Sequence, residues 1–429
     1  MRSLAVVGSR IAAACLLAGA SCTPGTSATL TATPSAPPAS ASVTPATGST
    51  SPPTPSVTVE VVVADWTRAI EGAVGGRDVS VAVGVGDRIV FELAGEEPRI
   101  PASNQKLLTS MAALDIFGPE HRFPTVAASG MPPEGGVIHG DLWLVGSGDP
   151  EVDASSMARL ATAVRAAGVA RITGGVIGDT SAFTREWWAP GWVPGLSRSF
   201  VTRTTALAFA GNAGGGLPEE AAAGSLTAAL RSLGVEVIAE AEAGVAPRGL
   251  DAVAVTRSRP LRDLLAVQNH GSVNFYAETL LKALGAQVAG DGRSTAAGAE
   301  AVAAWAASRG VAAEVMDGSG LSHRDFVSAR GLATLLLLAQ DEPWGEVLDA
   351  SLAPSGEGTL EGRLLGVDAR AKTGTLFEES VSSLSGYVTD ASGARVAFSM
   401  ISRGLDKATA VAIEDAIVRA LAGARIGRG

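Results

Sequence analysis

Pro101-Ala102-Ser103-Asn104-Gln105-Lys106-Leu107-Leu108-Thr109-Ser110 is the stretch from which the rest of the chain is read. Apolar residues follow Lys106 at helical spacing (Leu107, Leu108, Met111, Leu114, Phe117), which predicts a helix that starts near Ser103 and buries that face. Ser103 and Lys106 stand about one turn apart, so their side chains share a face. The free N–H groups and positive dipole end of a helix start suit a developing oxyanion. A serine hydroxyl becomes a good nucleophile only when a neighbouring base takes its proton. A lysine is that base only where burial or nearby positive charge lowers its pKa. Ser-x-x-Lys alone is common by chance and decides nothing.

At 429 residues the chain has room for two folded units, and its 46% hydrophobic content is ample for large cores. A net charge of −10 argues against a nucleic-acid partner. Lys106, Lys282, Lys372 and Lys407 are the only lysines, so each titratable amine is worth separate inspection. Both cysteines, Cys15 and Cys22, fall in the first 22 residues. There, Arg2 and Arg10 precede a short apolar run, Ile11–Ala20, which reads as a secretory signal peptide over residues 1–22. Two cleavage readings stand. Ala18-Gly19-Ala20 suits cleavage before Ser21, whereas Gly19-Ala20-Ser21-Cys22 resembles a bacterial lipoprotein box with lipid on Cys22. Membrane contact is expected only through that lipid or the signal segment. The expected location is the outer face of the cytoplasmic membrane, the cell wall or the periplasm.

Residues 23–56 are Thr, Ser, Pro, Ala and Gly with almost no large apolar side chain, a composition that predicts an extended, disordered tether. The folded region is expected from Val57. Helices are predicted at Asp65–Val74, Ser155–Ala167, Leu226–Leu233, Leu261–Val267, Asn274–Leu284, Ala296–Ala307, Ala329–Leu338 and Thr409–Leu421. Asp78–Val85 and Arg88–Ala94 flank Gly86-Asp87 as a hairpin. Strands are expected at Ala369–Leu376, Leu384–Thr389 and Ala394–Ile401. Between Phe123 and Arg259 the pattern changes to short strands and Gly-rich turns, too long for a connection, and this reads as an inserted domain.

Two further stretches bear on Ser103. In His270-Gly271-Ser272-Val273-Asn274, Ser272 offers a hydroxyl that can relay a proton and Asn274 an amide that can grip a carbonyl. The plainer reading is helix capping, since Ser and Asn are favoured N-caps. In Arg370-Ala371-Lys372-Thr373-Gly374-Thr375, Lys372 places a cation and Thr373 a hydroxyl, while Gly374 lets a ligand backbone approach. Thr375 N–H can serve as an oxyanion donor. The plainer reading here is a solvated edge strand guarded by its lysine. The four histidines show no metal-ligand spacing, and the glycine runs at Gly146–Gly148 and Gly214–Gly216 lack the residues of a phosphate loop.

Ser-x-x-Lys, Ser-x-Asn and Lys-Thr-Gly occur here in that order, the trio of penicillin-binding proteins and class A β-lactamases. From about Trp66 to Arg419 the sequence resembles the class C penicillin-binding proteins, the penicillin-binding protein 4-like D-alanyl-D-alanine carboxypeptidase/endopeptidase family. Gly146-Ser147-Gly148-Asp149-Pro150, Asp317-Gly318-Ser319-Gly320-Leu321-Ser322 and Ser382-Ser383-Leu384-Ser385-Gly386-Tyr387 carry that resemblance beyond the trio. It implies an α/β (α+β) fold: a penicillin-recognising serine transpeptidase/β-lactamase-like domain, residues 57–122 and 260–429, interrupted by a strand-rich insert, residues 123–259.

The same resemblance implies the chemistry. Ser103 would be the acylated nucleophile and Lys106 its base. Ser272 would pass the proton to the leaving D-alanine and Asn274 would orient the acyl side chain. Lys372 and Thr373 would bind the terminal carboxylate beside Gly374, and the Ser103 and Thr375 N–H groups would form the oxyanion hole. Lys372 and the helix dipole are expected to depress the pKa of Lys106. The implied substrates are peptidoglycan stem peptides ending in D-Ala-D-Ala, with peptide cross-bridges as a second class; β-lactams are the implied inhibitors, and no cofactor is implied. Val273 stands where many relatives carry aspartate, His323 and Asp325 are unusual after Gly-Leu-Ser, and the insert is short. The rivals are a β-lactamase or esterase of the same fold, and a catalytically idle wall-binding surface protein.

Overall fold

The computed structural model describes residues 65–195, 197–290 and 293–428. The expected signal segment, the candidate lipidation site Cys22, the expected tether and the expected start of the fold at Val57 lie outside the described residues.

A six-stranded antiparallel sheet organises the structure, in the spatial order Ala353–Pro354, Ala369–Leu376, Val381–Thr389, Arg395–Ser402, Val79–Val85, Arg88–Leu93. The first long strand of the chain therefore lies against the last, with Val79 opposite Ser402 and Val83 opposite Phe398. The Gly86-Asp87 hairpin forms as its sequence predicts, with Val85 opposite Arg88 and Gly86 at φ +62°. Alternation along Arg395–Ser402 sends Val396, Phe398 and Met400 to one face, where they pack with Ile70 of the first helix and Ile417 and Leu421 of the last. Ala397 and Ile401 point the other way, into a core shared with the helices Gln105–Phe117, Leu261–His270, Asn274–Ala289 and Ala329–Asp341. The sheet is buried on both faces.

That double burial explains two differences from the sequence reading. Val381–Thr389 begins three residues before the expected Leu384. Ser382 and Ser383 lie outside the expected strand, but they and Ser385 are buried and hydrogen-bonded, to Glu414, Pro101 and Ser399 respectively. The helix of Ser103 also departs from expectation. A 3₁₀ turn, Ala102–Asn104, precedes the α-helix Gln105–Phe117, and Gln105 to Leu114 are buried on every side instead of along one stripe. Surrounding helices and the Asp317–Gly320 loop cover the face that periodicity left open.

Residues 124–257 build a second, five-stranded sheet in the order Glu242–Gly244, Val176–Asp179, Leu142–Val145, Pro124–Ser129, Asp251–Arg257. Helices Ala154–Ala166 and Pro218–Ser232 cover it through Met157, Leu160, Leu226 and Leu230. The second helix is almost twice the length expected, because Pro218 and the acidic Glu219 and Glu220 supply a helix start upstream of the apolar positions. The strap between the strand ending at Asp179 and Pro218 returns to the main body, where Phe183 and Ala206 join its core. The short helix Gly345–Ser351 was not expected.

Phe398 is fully buried at the centre of the large sheet. Phe398→Ala should cost about 3–5 kcal/mol, read from the midpoint and slope of urea unfolding.

Candidate active site

Within the stretch 101–110, Ser103 alone escapes full burial. The 3₁₀ turn that carries it is held from three directions. Ala102 takes φ +47°, which an L-residue adopts only under constraint. Asn104 Nδ2 donates to Ser385 Oγ at 2.7 Å on the central sheet. Gly320 packs so closely that a Cβ there would lie 1.8 Å from the Ala102 carbonyl oxygen. The serine is thus presented by a rigid turn that is clamped between sheet and loop.

Lys106 is fully buried behind it. Its Nζ donates to Ser103 Oγ at 3.0 Å, to Asn274 Oδ1 at 2.6 Å and to the Ser319 carbonyl at 2.7 Å. The amide of Asn274 is fixed in this sense because its Nδ2 donates to the Phe200 carbonyl at 3.1 Å. Of the three acceptors, only the serine hydroxyl can also donate. When Lys106 loses a proton, its lone pair therefore has one productive direction, toward Ser103. Burial lowers the Lys106 pKa to about 8, against the opposing pull of Asp317, Glu278 and Asp325. Desolvation is the leading cause, where the sequence pointed first to the charge of Lys372 and the helix dipole.

Lys372, also fully buried, closes the other side. Its Nζ donates to Ser272 Oγ at 2.8 Å and to the Thr373 carbonyl at 2.7 Å. Burial pushes its pKa well below the ordinary lysine value, and the charges of Lys106 and Lys407 push the same way. Neither Ser272 nor Asn274 caps the helix Asn274–Ala289, whose N-cap is Val273 without a side-chain bond. Their side chains reach the two lysines instead, and Ser272 adopts φ +54° to do so.

The strand Ala369–Leu376 supplies the remaining wall. On one side it pairs throughout with Val381–Thr389; on the other, pairing with Ala353–Pro354 reaches only Arg370 and Ala371. Among the described residues no strand pairs with Lys372–Leu376 on that second side, which leaves an edge beside the cavity. At Gly374 a Cβ would lie 2.1 Å from Ser383 Oγ and 3.0 Å from the Ser103 nitrogen. The glycine is a steric necessity for bringing strand and serine together. Ser103, Ser272, Asn274, Thr373, Gly374 and Thr375 all line one cavity of about 280 Å³. Phe200 and Val193 of the strap close it, with His323 and Phe377 also in its wall. A larger cleft of about 1050 Å³ adjoins it through Phe200, Ser272 and Asn274. Arg363, on the far side of this strand's sheet, is tied to Glu414 and Asp415 at 2.8 and 2.7 Å and takes no part in the cavity wall.

The profile of the D-Ala-D-Ala carboxypeptidase 3 (S13) family matches residues 56–214 and 216–424. The chain belongs to this family. A D-alanyl-D-alanine carboxypeptidase of Actinomadura sp. (strain R39) is 31% identical over 84% of this chain and 85% of that protein. The crystal structure of penicillin-binding protein 4 from Haemophilus influenzae superposes with a TM-score of 0.71, at 21% identity, over 84% of this chain and all of that one. The same protein complexed with a β-lactam gives a TM-score of 0.64, at 21% identity, over 83% of this chain and 99% of that one. The S13 chain is a serine peptidase with the mixed α/β fold of the penicillin-recognising enzymes.

Sequence reasoning quoted Asp317–Ser322 only as a family signature. In the S13 fold it is a built turn: Asp317 Oδ1 accepts from Ser319 N at 3.1 Å and Gly320 N at 2.6 Å, and Oδ2 from Ser322 N at 2.8 Å. Trp192 Nε1 of the strap donates to the same carboxylate at 2.6 Å. Three side chains acting here, Glu278, Asp317 and Trp192, were not assigned a role at the site. The signal for Glu278 was its place one turn after Asn274. Gly320→Ala should cost about 2–4 kcal/mol in urea unfolding, because the added methyl meets backbone and the residue holds φ +79°.

Proposed function

We propose that this chain is an exported serine-type D-Ala-D-Ala carboxypeptidase that acts on peptidoglycan stem peptides through an acyl-enzyme on Ser103, with peptide cross-bridges as a second substrate. The observation that carries the reading is the set of three acceptors around Lys106, which aims its lone pair at the one half-open serine. The named activity of the S13 family and of the Actinomadura relative supports the substrate class.

In this reading the peptide runs along the edge Lys372–Leu376, in the manner of an added strand. Its scissile carbonyl oxygen sits between the Ser103 and Thr375 N–H groups. Lys106 accepts the Ser103 proton as Oγ attacks the carbonyl carbon, and the oxyanion forms against those two donors. The C–N bond then breaks. The leaving D-alanine nitrogen takes a proton through Ser272, which is bonded to Lys372. Water repeats the sequence in reverse roles and frees the shortened peptide. Asn274 orients the acyl side chain while it holds Lys106.

Lys372 and Thr373 receive the terminal carboxylate. An incoming anion favours the ammonium form of a lysine that burial alone disfavours, so substrate docking charges Lys372 as it is needed. A β-lactam carries a strained amide and a carboxylate at comparable spacing and acylates the same serine. Residues 123–259 form an inserted domain that shapes access for the wall polymer. Lipid on Cys22 and the tether over residues 23–56 hold the enzyme at the outer face of the membrane. Mass spectrometry of the mature N-terminus tests that anchor: a diacylglyceryl cysteine supports it, and an unmodified Ser21 terminus sinks it.

Release of D-alanine from a D-Ala-D-Ala tripeptide, with intact mass after penicillin treatment, tests the enzymatic reading. Wild type should gain one penicillin adduct and Ser103→Ala none. An adduct that vanishes within seconds would instead indicate a β-lactamase. Acylation should rise with pH toward a midpoint of about 8, the value to which burial lowers Lys106, because the neutral amine is the base. Below that midpoint the rate should change about tenfold per pH unit. Lys106→Ala should lose about a hundredfold to ten-thousandfold in acylation rate on every substrate. Lys372→Ala should lose more on a free-acid ligand than on its carboxamide. Equal losses on the pair would remove its carboxylate role.

A further inference from the structure

Two of the three groups that fix Lys106 depend on one helix. Asn274 opens Asn274–Ala289 and contacts Lys106 directly through Oδ1. One turn later, Glu278 is buried, and its Oε1 accepts from Gly318 N at 3.0 Å and Ser319 N at 2.8 Å. The carbonyl of Ser319, in the same residue, accepts from Lys106 at 2.7 Å. The turn has little freedom elsewhere. A Cβ on Gly318 would lie 2.4 Å from the Ala277 carbonyl oxygen, and Thr109 Oγ1 of the nucleophile helix donates to the Gly318 carbonyl at 2.9 Å. A carboxylate is a costly choice for so buried a bracket, since an amide would accept the same two N–H groups.

We propose that Glu278 is a positioning residue for Lys106: it seats the Ser319 carbonyl against the amine and, through its charge, sets how readily that amine gives up its proton. The proposal rests on the reading of Lys106 as the base of Ser103. The groups that face Glu278 are Lys106 from the nucleophile helix, Asp317 and Asp325 from the loop, and Lys282 from its own helix. Burial, with Asp317 adding to it, raises the Glu278 pKa, while Lys106 draws it down and Glu278 in turn raises that of Lys106. Two groups that shift one another titrate as a pair, so the proton that leaves Lys106 and the charge on Glu278 are linked. The ionised carboxylate stabilises the ammonium. Removing it should make Lys106 easier to deprotonate.

The chain has four lysines, so its side-chain ¹³Cε-lysine spectrum holds few signals, and Lys106→Arg assigns the one of interest. Glu278→Gln keeps the acceptor and removes the charge. In this variant the Lys106 titration should move down by about one pH unit, and the pH profile of penicillin acylation should move with it. Glu278→Ala removes the bracket as well. It should acylate at least about tenfold more slowly at saturating pH, with Gln restoring most of that loss. A bracket without electrostatic effect would give the alanine loss but no shift in the titration. An unchanged Lys106 titration in folded Glu278→Gln overturns the proposal. The titration needs no turnover. A shift in a protein whose Lys106→Ala variant still acylates normally would keep the coupling and sink the base assignment, so the two failures are distinguishable.

Discussion

Everything at this site follows from the burial of one ammonium group. Lys106 has no contact with solvent, and an amine in that position is stable only if each of its protons finds an acceptor. Ser103, Asn274 and Ser319 supply those acceptors from three separate regions of the chain. The same burial lowers its pKa enough for a neutral fraction to exist near physiological pH. Positioning and activation are therefore one physical event. A more exposed lysine would keep its proton, and a buried one with fewer partners would destabilise the fold.

The acceptors need supports of their own, and these explain the surrounding architecture. Asn274 is held by a backbone carbonyl of the strap, and the Ser319 turn by Glu278 and Asp317. Trp192 ties the strap to Asp317 from the other side. The segment between the two sheets is thus part of the frame of the site, even though the three motifs lie outside it. This also accounts for the local strain. Ala102 and Ser272, on opposite sides of the cavity, both carry positive φ, a conformation that persists only where packing over-determines it.

Electrostatics divides the two lysines. Lys106 lies among acidic neighbours that partly offset its desolvation, whereas the charged neighbours of Lys372 are other lysines. In the proposed mechanism one exchanges a proton with the neutral hydroxyl it contacts. In the proposed mechanism the other receives the substrate's carboxylate, which favours its ammonium form. Gly374 lets the strand carrying Lys372 lie close to the turn carrying Ser103, since a side chain there would crowd Ser383, Pro101 and Ser103 at once.

The local features were legible in the sequence for a local reason. Helical spacing and the Gly86-Asp87 turn are properties of neighbouring residues, and most helices and this hairpin form near where the sequence places them. What the sequence left undetermined involves partners far apart in the chain. Ser383 reads as a polar loop residue until Pro101, 282 positions away, accepts its hydroxyl proton. Ser272 and Asn274 read equally well as helix caps until two distant lysines claim them. No local pattern announces that the Glu278 carboxylate will be sealed against a turn 40 residues on. The sequence by itself determined which chemical groups the site contains. Only the tertiary structure decided their protonation and direction, because both depend on desolvation and on acceptors that the fold brings in from elsewhere.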